Sequence, residues 1–373
     1  MDNSEYIWDI YQKKYKLITG KLLGKGGFGE VKEIITSKGK VYAGKLVKNK
    51  RKQRIEERDN LSDSDEKENI ILFLKCPNIV KIYKIYEEKC IVNQKEEIYN
   101  LVIMEKAVLK DLKTFSKSIH HQNFDNLIYT PFKEKIGDQF LKFLTRQIVR
   151  GLELFERNEL IHFDIKPENI LIFLELYLKI TDFGLLRDVS QIDKIRIPGG
   201  TPGYLSPEYY EHYRNRISIN EAKKQDYYAL GATIFLLKYG KQMIKIKIHK
   251  TNRSEENKVS HQHIIDCLTR NRTFIQSDKI SDRDFVNFLC SLIEISPDDR
   301  PNFEEIYRNK WLNKEVDAIS KVYNGFRNDE QKLIMELRKN DYLLDKKKDL
   351  EENKKERKKF IFRPKKNKKS NLL

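Results

Sequence analysis

Three polar clusters follow one another between Ile161 and Glu208 and read IHFDIKPENIL, ITDFGL and GTPGYLSPE. A site that moves a phosphoryl group must hold an acceptor hydroxyl, bind the metal ions that bridge nucleotide phosphates, and set the acceptor in line, so a carboxylate, an amide and a second carboxylate have to converge. Asp164, Asn169 and Asp182 supply that set, with Asn169 five residues after Asp164 and the Asp-Phe-Gly on its own short strand close behind.

A nucleotide would need a cradle, and LGKGGFGEV offers one in Leu23, Gly24, Lys25, Gly26, Gly27, Phe28 and Gly29. Glycine lets backbone amides approach phosphate oxygens closely. A dinucleotide fingerprint has the same glycines but demands a helix directly after them. Here EVKEIITSKGKVYAGKLV follows, with strand alternation and a turn, so the glycines belong to a hairpin. Lys45 comes sixteen residues after Gly29 on the next strand.

With both halves present in this order, the chain resembles a eukaryotic protein kinase of the Ser/Thr type over about residues 15–312. The fold class the resemblance implies is α+β and bilobal, a small β-rich N-lobe with one main helix (about residues 15–105) and a larger helical C-lobe (about 107–312). ATP and Mg²⁺ would be the cofactors and proteins with Ser or Thr acceptors the substrates. By the same resemblance Lys45 would reach the α and β phosphates, oriented by a helix carboxylate, Glu68 first and Glu66 second. Val31, Ala43 and Leu171 would sandwich the adenine, Met104 would be the gatekeeper, and the backbone of Glu105 and Ala107 would bond the adenine edge. Asp111 would contact ribose or a substrate arginine; Asn169 and Asp182 would hold metal. Asp164 would accept or orient the acceptor hydroxyl, Lys166 would balance charge on the transferred group, and Thr201 would bond both. Glu208 should pair with Arg300, and Asp226 should anchor the catalytic-loop backbone.

The chain departs from the family pattern at four places. HFD stands for the usual HRD, so Phe163 removes the arginine that would bind an activation-loop phosphate; between Leu185 and Gly200 the clear hydroxyl is Ser190. Activity without obligatory loop phosphorylation is the expectation. Gly44 replaces the branched residue usual before the lysine, at a cost in strand propensity. Lys106 stands where an aromatic is common, and the segment before PNIV looks one residue short. Asp111 and Glu168 weakly favour substrates with basic residues.

The elements that must position these groups are legible in outline. Residues 15–50 read as a β-meander, 51–75 as a helix ended by Pro77, and IVKIYKIY and IYNLVIME as two strands separated by a polar loop. Helical spacing follows around 138–157, 221–239 and 283–295, with short strands near Leu171 and Lys179; the region from Lys241 to Ile280 resists assignment. Residues 1–14 are set aside as an N-terminal extension and 313–373 as a lysine-rich tail, helical or disordered.

At 373 residues, with 39% hydrophobic and 35% charged, the chain can bury a core only if much of the charge is solvated, and 19 Phe with 19 Tyr supply large apolar surface. About half of the formal +17 lies in the tail, where residues 338–369 hold 15 Lys or Arg against 6 Asp or Glu. That run, with Phe360 and Phe362 interleaved, suits an anionic partner: an acidic protein, a lipid surface or nucleic acid. Four distant cysteines without a CxxC pair argue against a zinc ribbon or redox motif and for reduced thiols. An acidic N-terminus and no apolar run long enough to span a bilayer lead us to expect an intracellular protein without a transmembrane segment, in the cytoplasm, the nucleus or both; a monomer is expected as well. A pseudokinase scaffold is the main rival function, yet such proteins generally lose residues of the kind kept here at Lys45, Asp164 and Asp182. A nucleic-acid-binding protein ranks third, because the charge is concentrated outside the body.

Overall fold

The computed structural model describes residues 3–27, 29–49, 71–72, 74–120, 138–211, 215–246 and 260–313. Phe28, Glu66, Glu68 and nearly all of the tail therefore lie outside the described residues.

The apolar–polar alternation near the N-terminus folds into an antiparallel meander, β1 (Ile18–Gly26), β2 (Gly29–Ile35) and β3 (Val41–Asn49). Two further strands complete the sheet, β4 (Ile82–Val92) and β5 (Lys95–Met104), in the order β1-β2-β3-β5-β4. The sequence suggested a polar loop between these last two, but they run longer and meet at a two-residue turn. Asn93 and Gln94 both take positive φ (50° and 62°), the backbone twist that lets strands close tightly into a hairpin.

Residues set aside as an extension are part of this lobe. Asn3–Tyr15 forms a helix, α1, that lays Ile7, Trp8 and Tyr11 against Ile34, Leu46, Tyr99, Leu101 and Ile103 on one face of the sheet. The opposite face carries Ala43, Val102 and Met104, which join the large core continuing into the helical lobe. Gly44 explains how α1 fits. A Cβ there would lie 2.4 Å from Ile34 Cγ1 and 3.2 Å from Leu101 Cδ1, so the missing side chain makes room for residues that pack under the helix.

The second lobe is built on helices α2 (Leu112–His120), α3 (Asp138–Arg157), α4 (Pro207–Glu211), α5 (Ile219–Tyr239), α6 (His261–Gln276) and α7 (Arg283–Leu292). Ser218 and Glu221 form a capping box that starts α5, and Gly240 ends it in the left-handed conformation. Helix α6 lies in the stretch that resisted assignment, started by Ser260, which accepts from the His263 N–H. Its Ile264, Leu268 and Ile275 face the core. Among the described residues no helix is long and apolar enough to cross a membrane.

Candidate active site

Two short hairpin strands bring the polar clusters together. β6 (Ile170–Ile172) pairs antiparallel with β7 (Leu178–Ile180), and Ile170 lies opposite Ile180, so Asn169 just before one strand meets Thr181 just after the other. The Thr181 N–H donates to the Asn169 carbonyl at 2.9 Å. Asp182 follows at once, in the left-handed region (φ 66°, ψ 76°), which turns its carboxylate out of the strand direction.

Around Asp164 the donors converge. Its Oδ2 accepts from Lys166 Nζ (2.6 Å) and Asn169 Nδ2 (2.9 Å), and its Oδ1 accepts from Thr201 Oγ1 (2.7 Å). Lys166 Nζ also donates to Thr201 Oγ1 at 2.6 Å, closing a triangle between the catalytic-loop cluster and the GTPGYLSPE segment. Asn169 Nδ2 donates a second bond to the Asp164 carbonyl, which leaves the amide oxygen pointing away from Asp164.

The backbone beneath is held by two buried groups. Asp226 on α5 accepts the His162 N–H (2.8 Å) on one oxygen and the Phe163 N–H (2.9 Å) on the other. Burial pushes its carboxyl up to about 7, against the pull of those two amides. His162 accepts the Asp164 N–H on Nδ1 (3.2 Å) and meets the Thr181 carbonyl through Nε2 (3.1 Å). Burial holds the ring's pKa below the usual histidine range, and those two contacts require the neutral tautomer with its hydrogen on Nε2. The ring sits between Phe155 and Phe183. Sequence reasoning gave His162 no role; its place at the start of HFD was the available signal.

From the sheet, Lys45 on β3 reaches Asp182, with Nζ 2.6 Å from Oδ1. Burial pushes the Asp182 carboxyl up, but the Lys45 ammonium and its hydrogen bond, helped by His162 and Lys166, outweigh that and hold it below the usual carboxylate range. Val31 lies opposite Lys45 and Ala43 opposite Met104, and all but the lysine pack with Leu171 in the large core cluster. Beyond β5, Glu105 donates its N–H to the Lys81 carbonyl (3.0 Å), and its carboxylate takes Lys179 Nζ at 2.7 Å and 2.8 Å. Lys106 is ion-paired to Glu33 on β2, so the connection between the lobes is strapped to the glycine hairpin. Ala107 follows half-buried, without a bond that marks it out.

Glycines shape the remaining wall. At Gly24, Gly26 and Gly27 an added Cβ would meet nothing within 4 Å, so the hairpin tip borders open space, with Lys25 exposed and Leu23 38% exposed. Gly29 is different. Its φ of 133° and the Leu46 carbonyl 2.1 Å from a would-be Cβ leave no place for a side chain. The space suits phosphates, and the oxygens of Asn169 and Asp182 are hard donors suited to Mg²⁺.

The carboxylates expected to receive substrate arginines are already partnered. Asp111 accepts the Thr114 N–H (2.8 Å) and hydroxyl (3.0 Å) at the start of α2, and Glu168 is ion-paired with Lys113. Arg300 forks onto Glu208, both within the core, and also donates to the carbonyls of Glu294 and Ile295.

The protein kinase domain family matches residues 17–312, the stretch that carries the five-stranded sheet, the convergent carboxylates and the helical lobe. The chain belongs to the protein kinase family. The rat serine/threonine-protein kinase PLK2 is 25% identical over 295 residues, 79% of this chain and 37% of that protein. Mouse G protein-coupled receptor kinase 4 is 28% identical over 279 residues (74% and 41%), and a probable serine/threonine-protein kinase of Dictyostelium discoideum is 30% identical over 293 (78% and 37%). The chain thus spans only about two fifths of the length of the curated relatives it matches. Its helix α1 falls outside the matched residues, although it is packed against the five-stranded sheet.

Proposed function

We propose that the chain transfers the γ-phosphoryl group of ATP to Ser or Thr hydroxyls of protein substrates. The observation that carries this reading is the Asp164–Lys166–Thr201 triangle. A carboxylate bonded to a nearby ammonium and hydroxyl, at the mouth of a glycine-walled space, can accept the hydrogen of an incoming alcohol while the ammonium sits beside it to neutralise charge developing on the group in transit. Lys45, taken up by nucleotide phosphates, would exchange its bond to Asp182 for them. Asn169 and Asp182 would hold Mg²⁺, which supplies charge neutralisation on the phosphate oxygens when bound. The Glu105 carbonyl and the Ala107 backbone would face the adenine edge, with Val31, Ala43, Met104 and Leu171 as its apolar walls and Asp111 near the ribose.

Transfer without phosphorylation of the activation segment is the finer part of the reading. Phe163, at 1% exposure, packs with Val189, Ile195, Ile197, Leu205 and Ile217, so apolar burial stands where an arginine and a phosphate would otherwise hold the segment. A lysine already seated on Glu168 argues against a strong demand for basic substrates. The tail would add an anionic partner through counterion release, and its affinity would fall steeply with salt.

The test is incubation of the purified protein with Mg²⁺, labelled ATP and a panel of acidic and basic protein substrates, with Asp182→Ala alongside. Label on Ser or Thr that disappears with the variant supports transfer, and persistence after phosphatase treatment or in Ser190→Ala supports independence from loop phosphorylation. Nucleotide binding without transfer would favour the scaffold reading.

A further inference from the structure

Helix α1 does more in this fold than add hydrophobic area, because one of its buried side chains grips the nucleotide hairpin. Trp8 is fully buried, and its indole Nε1–H donates to Glu30 Oε1 at 3.0 Å. Glu30 is the residue after Gly29. In register it faces Lys25 on β1 and Leu46 on β3, one pair from the hairpin's last pair, Gly26 with Gly29. The same carboxylate lies 3.4 Å from Lys25 and 3.3 Å from Lys32, and Lys32 is ion-paired to Glu5 of α1 and stacks over the Trp8 ring. The helix and both hairpin strands therefore share one small charged cluster, roofed by an aromatic ring.

Among the described residues the glycines of the tip beyond this cluster border open space. Would-be Cβ atoms at Gly24, Gly26 and Gly27 find no neighbour within 4 Å, whereas just behind the tip Gly29 is clamped against the Leu46 carbonyl from within the sheet. The angle at which the tip projects is set where the hairpin is gripped, and Glu30 is gripped from outside by Trp8. The next pair along, Val31 with Lys45, carries the strand that presents the lysine, so a displacement of Glu30 is passed to the nucleotide side of the sheet within one residue.

We infer that Trp8 is a positioning residue for nucleotide binding: its indole N–H, holding Glu30, sets the glycine hairpin over the site, so that α1 is a working part of the nucleotide pocket although it touches no nucleotide. The inference rests on the reading of this site as an ATP site.

Trp8→Phe keeps an aromatic body in the cluster and deletes the donor. On the full chain with Mg²⁺, we expect affinity for a fluorescent ATP analogue to weaken about tenfold, as for the loss of one hydrogen bond to a charged acceptor. The KM for ATP should rise in parallel, kcat should stay within about twofold, and Glu30→Ala should cost less nucleotide affinity in the Trp8→Phe background than in the wild type, because the Trp8–Glu30 bond is then already gone and only the pairs with Lys25 and Lys32 remain to lose. Should Trp8→Phe fail to fold, Glu30→Ala removes the same bond together with the Lys25 and Lys32 pairs and should give the same split between KM and kcat. Unchanged nucleotide affinity and KM in a folded Trp8→Phe or Glu30→Ala protein, with only a lowered melting temperature, would reduce α1 to a structural prop and overturn the inference. If the wild type bound no nucleotide at all, the reading of the site itself would fail, and this inference with it.

Discussion

Lys45 Nζ and Asp182 Oδ1 stand 2.6 Å apart, a bond between the β-sheet lobe and the loop after β7 that joins residues 137 positions apart in the chain. The lysine is the main influence drawing this half-buried carboxyl below the usual aspartate range. Its pairing with Asp182 also means that the site, as folded, has its principal cation and the carboxylate proposed to hold metal already in contact.

Lys45→Met should therefore change two things at once. Transfer should drop by on the order of 10²–10³, as for the loss of one preorganised charged donor. With the ammonium gone, burial acts on Asp182 against only the weaker pull of His162 and Lys166. In the wild type its folded pKa lies below the unfolded value, so its contribution to stability is present above about pH 4 and lost below it. In the variant the sign reverses, and stability should fall as pH rises beyond about 4. Urea unfolding of both proteins from pH 3.5 to 7 reads the reversal directly.

Asp226 gives the opposite dependence in the wild type. The folded chain holds this proton up to about pH 7, whereas the unfolded chain releases it near 3.8, the ordinary aspartate value. Between those values the folded state binds more protons, so this group's contribution falls as pH rises through the window, by at most about 1.4 kcal/mol per pH unit. Asp226→Asn cannot titrate. It should be less stable than the wild type at pH 4.5, since an amide cannot accept both the His162 and Phe163 N–H groups on equal terms, and the gap should narrow steadily by pH 7. A gap independent of pH would show that the carboxyl does not titrate in this range.

Phe163 adopts φ 62° and is buried among the aliphatic side chains of the activation segment. Phe163→Ala should cost roughly 3–5 kcal/mol of stability. It should also expose the backbone between Leu185 and Gly200 to limited proteolysis. Phe163→Arg, which places a guanidinium in the same apolar cluster, should be at least as destabilising, and added phosphate at Ser190 should not restore it, because Ser190 is exposed and its hydroxyl is bonded to Asp188.

Gly44→Val restores strand propensity but not stability. The new Cβ meets Ile34 Cγ1 at 2.4 Å and Cδ1 at 2.8 Å and Leu101 Cδ1 at 3.2 Å, and both residues pack under α1. We expect a loss of about 1–3 kcal/mol, typical of overpacking. In a second protein lacking residues 1–14 Ile34 is free to move aside, and the same substitution should cost less there. Comparing melting temperatures of the four proteins tests the coupling.

Short-range signals made much of this protein legible. The order of the clusters around Asp164, Asn169 and Asp182, the glycines of the β1–β2 hairpin, and the apolar spacing of α3, α5 and α7 are written in neighbouring residues, because hairpin turns, helix faces and loop ligands depend on spacings of two to seven positions. What lay outside that reach was decided by packing. Nothing near Lys45 says that its partner is Asp182, nothing near Glu168 says that Lys113 covers it, and the acidic, aromatic N-terminus does not say which sheet face will receive Trp8. Gly44 read as a weakness in a strand until Ile34 and α1 showed what occupies the space. The tertiary structure decided these partners because a buried contact is chosen by whichever distant surface excludes water with it, and that choice depends on the whole arrangement of strands and helices, not on the residues beside it.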